Sequence, residues 1–257
     1  MFSVNTQNYF MIIASFLSRN LQIAIGLFCL LSLSAHAEES FFEFTEEARV
    51  VPMAAADRGL GEFKLLQALS FDEAYFQFDG NRVQRIENGE VNVLPDMAND
   101  SVASSAAIVG DRLYAIVGGQ LMQLPFRDAG KGWELIGELP AGLQPQAGLV
   151  GLQGRLYVYG MGEGGSAAYY LEPSLNTWKS LSTAPYDLRN YTAISCGNDH
   201  LLFFSAQNAQ SEMLAYHRTT DTWFQIARLP QPMQVHLAGS EGTQFTLYGA
   251  KSVLRGE

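Results

Sequence analysis

The sequence has little cysteine and no cluster of basic residues, and both shortages limit what the protein can be. Its 257 residues include two cysteines, Cys29 and Cys196, and Cys29 lies in a segment that we expect to be removed. The remaining chain therefore cannot form an internal disulfide. Lys and Arg number 16 against 26 Asp and Glu, and no stretch concentrates them. Nucleic acid is not an expected partner, because proteins that bind it cluster basic residues.

Long apolar runs are also scarce, and the run near the N-terminus has the features of a secretory signal. Arg19 precedes an apolar run over residues 21–33, and Ala35-His36-Ala37 follows it. The run is too short for a lasting membrane span, and the small residues after it suit a signal-peptidase site. We therefore expect residues 1–37 to be a signal peptide and the mature chain to begin at Glu38, without a stable membrane anchor.

The segment expected to remain, residues 38–257, is acidic and undivided. Loss of Arg19 leaves 26 acidic and 15 basic residues, a net charge of −11. Translation from Met11 is an alternative that would place Arg19 near the start of the signal. No linker rich in Ser, Gly or Pro interrupts residues 38–257, and one core can serve a chain of this length. We expect a single domain that is periplasmic or secreted.

A repeat of about 45 residues runs through this segment. Trp133, Trp178 and Trp223 lie 45 residues apart, and a proline follows each by seven residues. The full proline series, with spacings of 43, 45, 45 and 45, is Pro52, Pro95, Pro140, Pro185 and Pro230. A regular period of this length is typical of propellers and solenoids.

Each repeat also contains a turn followed by an apolar or alternating run. The clearest copies are residues 110–117 and 154–159, and weaker copies are residues 72–78, 198–204 and 242–248. This pattern is typical of hairpin turns that lead into strands. Further strand-like runs lie between the copies, so each unit is predicted to hold four short strands.

These patterns resemble kelch repeats. The resemblance is carried by Gly118-Gly119 after a strand, by an aromatic residue before an Asn-Thr-Trp or Asp-Thr-Trp turn, and by a closing Leu-Pro. It covers nearly all of residues 38–257 and is clearest over residues 106–230. The resemblance implies an all-β, kelch-like β-propeller. Four-stranded units stack radially in such a fold because each has a face to bury.

The two ends of the segment together provide nearly one more repeat. Residues 38–52 number 15, and 27 residues follow Pro230. We predict that strands at residues 245–248 and 252–255 pair with an N-terminal strand near residues 49–52. The result is five blades, the last shared between the N- and C-termini, with no open sheet edge at the join. A sixth blade completed by a partner is an open alternative.

The sequence gives little support for a metal or cofactor. His200, His217 and His236 fall in different units and lack the local pairing of a ligand motif. The kelch resemblance includes galactose oxidase, whose copper site requires two tyrosines, two histidines and a cysteine-linked tyrosine. Nothing here matches that set residue by residue. We expect no metal and no cofactor, and we expect Cys196 to be a small buried side chain.

The segments after each proline are the expected ligand-binding region. They lead from the outer strand of one blade to the inner strand of the next, so polar groups from several blades should converge on one face. In such a site Arg189 would hold a carboxylate and Tyr191 would pack against a sugar ring. The predicted ligand-binding residues are Gln144, Gln146, Arg189, Asn190, Tyr191, Gln234 and His236.

Two functions of different classes fit these observations. The first is a binding module whose partner is a small carbohydrate or another exported protein. The alternative is a sugar-processing isomerase, since the signal and the repeats also resemble bacterial periplasmic sialic-acid mutarotases. That mechanism needs a proton donor and acceptor near one ring oxygen, for which Glu163, Arg189 and His236 are the candidates. The short ring and the missing family phrases favour the binding module.

Overall fold

The structure is a computed structural model. It describes residues 44–47, 69–71, 74–79, 81–87, 90–97, 102–172, 176–189, 191–205, 212–226, 228–235, 237–248 and 253–256. All of them belong to one compact unit, Phe42–Glu257. The predicted signal peptide, residues 1–37, lies outside the described residues.

The described residues form twenty β-strands and one short 3-10 segment, Phe126–Lys131. The strands are β1 Phe44–Glu47, β2 Leu69–Phe71, β3 Ala74–Asp79, β4 Arg82–Glu87, β5 Glu90–Val93, β6 Ala103–Val109, β7 Arg112–Val117, β8 Gln120–Pro125, β9 Glu134–Glu138, β10 Gly148–Leu152, β11 Arg155–Gly162, β12 Gly165–Glu172, β13 Thr177–Ser180, β14 Tyr191–Cys196, β15 His200–Ser205, β16 Leu214–His217, β17 Thr222–Gln225, β18 Leu237–Glu241, β19 Gln244–Tyr248 and β20 Val253–Gly256.

The strands pair into antiparallel four-stranded sheets that follow one another along the chain. Blade 1 is β2–β5, blade 2 is β6–β9, blade 3 is β10–β13 and blade 4 is β14–β17. A further sheet, the mixed sheet, has the order β1-β20-β19-β18. The first strands of successive sheets are neighbours, from β2 beside β6 to β14 beside β18. This radial succession is that of an all-β propeller, so the predicted fold class is confirmed.

The blade count and the closing strand differ in part from the prediction. Four blades are built from consecutive strands, one fewer than the five predicted, because the fifth sheet draws on both ends of the chain. Its strand β1 pairs with β20 from Phe44 opposite Gly256 to Glu47 opposite Val253. The sequence predicts this strand near residues 49–52. It ends five residues before its proline, as β13 and β17 do, whereas β5 and β9 end two residues before theirs.

Glycine occupies the turn between the first two strands in four of the five sheets that the structure describes. Gly110, Gly154, Gly197 and Gly242 occupy equivalent turns with φ between 58° and 71°. Residues with a Cβ seldom adopt this left-handed conformation. These glycines therefore close the hairpins that the sequence pattern predicts.

The repeated tryptophans join each blade to the one before it. The indole N–H of Trp133 donates to the Pro95 carbonyl at 2.9 Å, and that of Trp178 donates to the Glu138 carbonyl at 3.1 Å. Trp223 donates in the same way to the Ser182 carbonyl at 3.0 Å. The 45-residue spacing thus repeats one inter-blade hydrogen bond as well as one packing position, so the tryptophans serve blade-to-blade packing.

Buried apolar side chains fill each boundary between neighbouring sheets. The boundary between blades 2 and 3 contains Ile116, Leu149 and Val158, and that between blades 3 and 4 contains Phe203 and Tyr216. The core is therefore a series of inter-blade layers. Within the part of the chain that the structure describes, no helix is long and apolar enough to span a membrane.

Candidate functional site

The predicted ligand-binding segments lie at one edge of the sheets. Each leads out of an outer strand and into the first strand of the next sheet, and the β11–β12 turn reaches the same edge because the pairing is antiparallel. We call this edge the loop face and define it as residues 139–147, 162–165, 181–189 and 228–235. It includes Gln144, Gln146, Arg189 and Glu163.

The loop between blades 2 and 3 presents three exposed polar side chains together with the β11–β12 turn. The Gln144 N–H donates to the Met161 carbonyl at 2.9 Å, which fixes the loop against the end of β11. A Cβ placed on Gly142 would lie 2.9 Å from Cγ of Glu163, so the stem of Glu163 covers that glycine. Gln144, Gln146 and Glu163 are all exposed. The structure therefore brings Glu163 next to the loop that carries both glutamines.

Arg189 is exposed at the loop face and is paired with Asp187. Its backbone N–H donates to Asp187 Oδ1 at 2.9 Å, and its Nε donates to both carboxylate oxygens at 3.0 and 2.9 Å. Its Nη2 also donates to Asp187 Oδ2. The side chains are 58% and 51% exposed. Hydrogen bonds from Arg189 hold the pKa of Asp187 below its usual range, and the same pair raises the pKa of Arg189.

The segment that carries Arg189 is anchored to blade 3. The N–H of Leu188 donates to Ser166 Oγ at 2.8 Å, and the Leu188 side chain is buried. Ser166 is the second residue of β12 and lies beside the β11–β12 turn, which carries Glu163. The guanidinium therefore has a fixed base, although its tip faces solvent.

Tyr191 and Gln234 are less exposed than the other predicted residues. Tyr191 packs against the apolar cluster between blades 3 and 4, and burial raises the pKa of its hydroxyl. Its carbonyl accepts a hydrogen bond from the buried Tyr159 hydroxyl at 3.2 Å. Gln234 is half-buried between the buried Met233 and Val235. Both residues contribute to packing at the base of the loop face.

The candidate acid and base groups do not meet in the described part of the chain. Glu163 and Arg189 share the loop face, but no hydrogen bond or ion pair joins them among the described residues. Asn190 and His236 lie outside the described residues. The catalytic roles of Glu163, Arg189 and His236 therefore stay predictions.

One sequence prediction about the histidines, their placement in different units, is wrong for His200 and His217. His200 and His217 lie opposite each other on β15 and β16 of one blade, with ring centroids 4.7 Å apart, so their assignment to different units is wrong. Burial lowers the pKa of His200, and the nearby His217 lowers it further. Within the described ranges no group of three His, Cys, Asp or Glu side chains forms a metal-binding cluster.

Cys196 matches its prediction as a small buried side chain. Its thiol donates to the Thr243 carbonyl of the next sheet at 3.4 Å. Burial raises the pKa of the thiol, which makes it a poor nucleophile.

A second polar cluster, which the sequence analysis missed, lies at the opposite edge of blades 3 and 4. It contains Arg155, Tyr157, Tyr170, Lys179 and Arg218. The guanidinium carbon of Arg155 lies 4.8 Å from the Tyr170 ring centroid, and Lys179 Nζ lies 5.9 Å from it. The repeated Arg-Leu-Tyr sequence at residues 112–114 and 155–157 was the available signal.

The fold places the chain among the β-propellers, and comparison with known proteins gives one local sequence similarity. No family model matches the chain. A stretch of 101 residues is 33% identical to the N-acetylneuraminate epimerase of Pasteurella multocida strain Pm70, covering 35% of this chain and 26% of that protein. The chain thus matches about a quarter of that relative's length, at low identity.

Solved structures resemble the chain in fold. The selenomethionine form of virginiamycin B lyase from Staphylococcus aureus superposes with a TM-score of 0.52 at 12% identity, over 74% of this chain and 64% of that chain. A catalytically inactive form of that lyase with quinupristin gives a TM-score of 0.51 at 13% identity, with the same coverage. At such identities the likeness shows the propeller fold alone.

Proposed function

We propose that the chain is an exported β-propeller binding module that takes an acidic sugar at its loop face. The observation that carries the proposal is the exposed Arg189, held in place by Asp187 and by the Leu188–Ser166 hydrogen bond. Exposed Gln144 and Gln146 lie at the same edge of the sheets. The local similarity to an N-acetylneuraminate epimerase supports a sugar that carries a carboxylate.

The guanidinium of Arg189 retains donors for such a ligand. Asp187 engages Nε and Nη2, and the described part of the chain supplies no other acceptor to the guanidinium. Arginine has five N–H donors, so the Nη1 and Nη2 edge can still bind a carboxylate with two parallel hydrogen bonds. The exposed amides of Gln144 and Gln146 suit sugar hydroxyls, which both donate and accept.

The remaining architecture belongs to the same proposal. The chain is a kelch-like propeller in which the mixed sheet serves as the fifth blade and joins the two ends of the ring. Residues 1–37 direct export, and residues 38–257 form the single mature domain. A periplasmic or secreted location follows, where another envelope protein with an acidic segment would be a second ligand of the same chemistry.

The binding module is tested by titrating N-acetylneuraminate and neutral glucose into the purified chain and into Arg189→Ala. We expect Arg189→Ala to weaken N-acetylneuraminate binding roughly 10- to 100-fold, because it removes charge-assisted hydrogen bonds. Arg127→Ala is the matched control, since Arg127 is 88% exposed, pairs with Asp111 at 3.6 Å and lies at the opposite edge. Equal affinity in Arg189→Ala, or no binding by the unaltered chain, contradicts the proposal.

A second candidate, a sugar isomerase, is favoured by the local epimerase similarity alone. It requires Glu163, Arg189 or His236 to exchange a proton with the sugar. The rate of anomer exchange of N-acetylneuraminate, followed by nuclear magnetic resonance on the same samples, separates the two functions. An acceleration that Glu163→Gln abolishes identifies the isomerase, whereas binding without acceleration supports the module.

A further inference from the structure

A buried tyrosine hydroxyl in blade 3 has no acceptor for its proton among the residues that the structure describes. Tyr157, in the middle of β11, is 1% exposed, and its buried hydroxyl finds no acceptor for its proton among the described residues. Its neighbour Tyr216, whose ring centroid lies 6.4 Å away in blade 4, donates its hydroxyl to Asp221 Oδ1 at 2.9 Å. Buried hydroxyls are almost always hydrogen-bonded, so the environment of Tyr157 needs an explanation.

Two arginines lie close to this hydroxyl, one from each blade. Arg155 is two residues before Tyr157 and shares its side of β11, and Arg218 follows Tyr216 by two residues. Burial raises the pKa of Tyr157, whereas a hydrogen bond from Arg155 and the charges of Arg155 and Arg218 oppose that rise. Both charges therefore act on the hydroxyl.

Neither arginine is fully compensated. Arg155 has no acidic partner among the residues that the structure describes. Arg218 donates from Nη2 to Asp199 Oδ1 at 2.7 Å, but its Nε is buried without a partner. The Arg218 side chain is 28% exposed, so the cluster opens to solvent at this end. One hydroxyl and one buried N–H thus remain as donors beside an unpaired cation.

At the equivalent position in blade 2, the arginine is connected to an acidic side chain by hydrogen bonds. Arg112 and Tyr114 occupy the places of Arg155 and Tyr157 in the repeated Arg-Leu-Tyr sequence. Arg112 Nη1 donates to Gln123 Oε1 at 2.8 Å, and Gln123 Nε2 donates to Glu134 Oε2 at 3.0 Å. Tyr114 is half-buried. The positive charge in blade 2 therefore reaches an acid within the same blade.

Blade 3 lacks that acid. The register places Tyr170 where blade 2 has Gln123, and Lys179 where blade 2 has Glu134. Lys179 Nζ forms an ion pair with Glu172 Oε2 at 3.2 Å. The Arg155 guanidinium instead lies over the Tyr170 ring. Arg155 therefore lacks the hydrogen-bonded connection to an acid that Gln123 and Glu134 give to Arg112.

We propose that a small oxyanion, of phosphate or carboxylate size, binds between blades 3 and 4 at Arg155, Tyr157 and Arg218. The anion accepts from the Tyr157 hydroxyl and from the arginines, and it supplies the negative charge that Glu134 gives to blade 2. The site lies at the opposite edge from the loop face, so it does not depend on the proposed sugar binding.

The proposal is tested by the thermal unfolding of the purified chain at constant pH and ionic strength, with chloride replaced stepwise by inorganic phosphate or acetate. We expect a saturable rise in Tm with phosphate, acetate or both. Tyr157→Phe and Arg155→Gln should each weaken the apparent anion affinity about tenfold or more. Tyr157→Phe keeps the buried ring, and Arg155→Lys is a second variant should Arg155→Gln fail to fold.

Matched controls locate the effect. Tyr114→Phe makes the same change in blade 2, and Arg127→Ala removes an arginine that is 88% exposed and belongs to neither proposed site; both should keep the full response to the anion. The proposal is overturned if neither anion raises Tm relative to chloride, as expected when the hydroxyl is paired only with water. It is also overturned if Tyr157→Phe responds as strongly as the unaltered chain.

Discussion

The boundary between blades 2 and 3 and the boundary between blades 3 and 4 have the same backbone plan but different chemistry. Ile116, Leu149 and Leu171 fill the first with aliphatic side chains. The second contains Tyr157, Tyr159, Phe203 and Tyr216 and is aromatic. Aliphatic burial is non-directional, whereas buried tyrosines need partners for their hydroxyls. The same backbone repeat can therefore bury aliphatic side chains at one boundary and tyrosine hydroxyls that need hydrogen bonds at the next.

The difference matters because the three buried tyrosines of the second boundary differ in the hydrogen bonds of their hydroxyls. Tyr159 donates to the Tyr191 carbonyl and Tyr216 donates to Asp221. The Tyr157 hydroxyl has no acceptor for its proton among the described residues. Two of these three buried hydroxyls thus donate within the protein, and the third is the donor of the proposed anion site.

The largest expected effect comes from truncating equivalent positions at the two boundaries. Tyr159 and Ile116 occupy the same place in the repeat, and both are buried. Tyr159 also packs edge-on against Phe203 with ring centroids 5.0 Å apart. We expect Tyr159→Ala to lower the free energy of unfolding by about 4 kcal/mol and Ile116→Ala by about 3 kcal/mol, measured by urea denaturation.

Tyr159→Phe separates the ring from its hydroxyl. It should cost about 1 kcal/mol, the net value of one hydrogen bond. A smaller loss in Tyr159→Ala than in Ile116→Ala would show that the aromatic boundary adds nothing to stability beyond the aliphatic one.

A smaller effect is expected from breaking the hydrogen-bonded chain of blade 2. Gln123 is 8% exposed and joins Arg112 to Glu134. Gln123→Ala should lower the free energy of unfolding by about 1 kcal/mol, because it removes two hydrogen bonds while both partners can still reach water. Gln120→Ala, at an exposed position of the same strand, is the control and should change stability little. Equal losses in the two variants would exclude a role for the chain.

The smallest expected effect concerns acid sensitivity at the aromatic boundary. Burial raises the pKa of Asp221, but hydrogen bonds from Ser182 and Tyr216 outweigh burial and leave the pKa lowered. A lowered carboxyl pKa adds stability above the unfolded-state value, near 4, and that stability is lost as the pH falls through the folded-state value. Asp221→Asn should therefore cost less than about 1 kcal/mol at pH 7, since the residue is exposed.

The pH profile is the discriminating measurement for Asp221. The difference in free energy of unfolding between the unaltered chain and Asp221→Asn should shrink as the pH falls below about 4. Asn tolerates the left-handed backbone of this position, where φ is 50°, as Asn176 does in blade 3. A difference that stays constant with pH would show that the carboxylate charge does not stabilise the boundary.

The sequence by itself determined the repeat and its consequences. The spacing of Trp133, Trp178 and Trp223 predicted stacked units, and each indole indeed bonds to the blade before it. Alternating apolar runs and turn glycines predicted the hairpins. These features are local or periodic, so they can be recognised in one dimension. The closing strand was placed some five residues too late, since the sequence marks the proline rather than the end of the outer strand.

Tertiary structure alone decided which polar residues meet. Sequence order identified Arg189 as a candidate, and the fold showed that it pairs with Asp187 while the tip of the arginine stays exposed. The cluster around Tyr157 was missed, because Arg155 and Arg218 are 63 residues apart and belong to different blades. Side chains on separate blades come together through the radial stacking of sheets, and no local pattern records which of them are left without a partner.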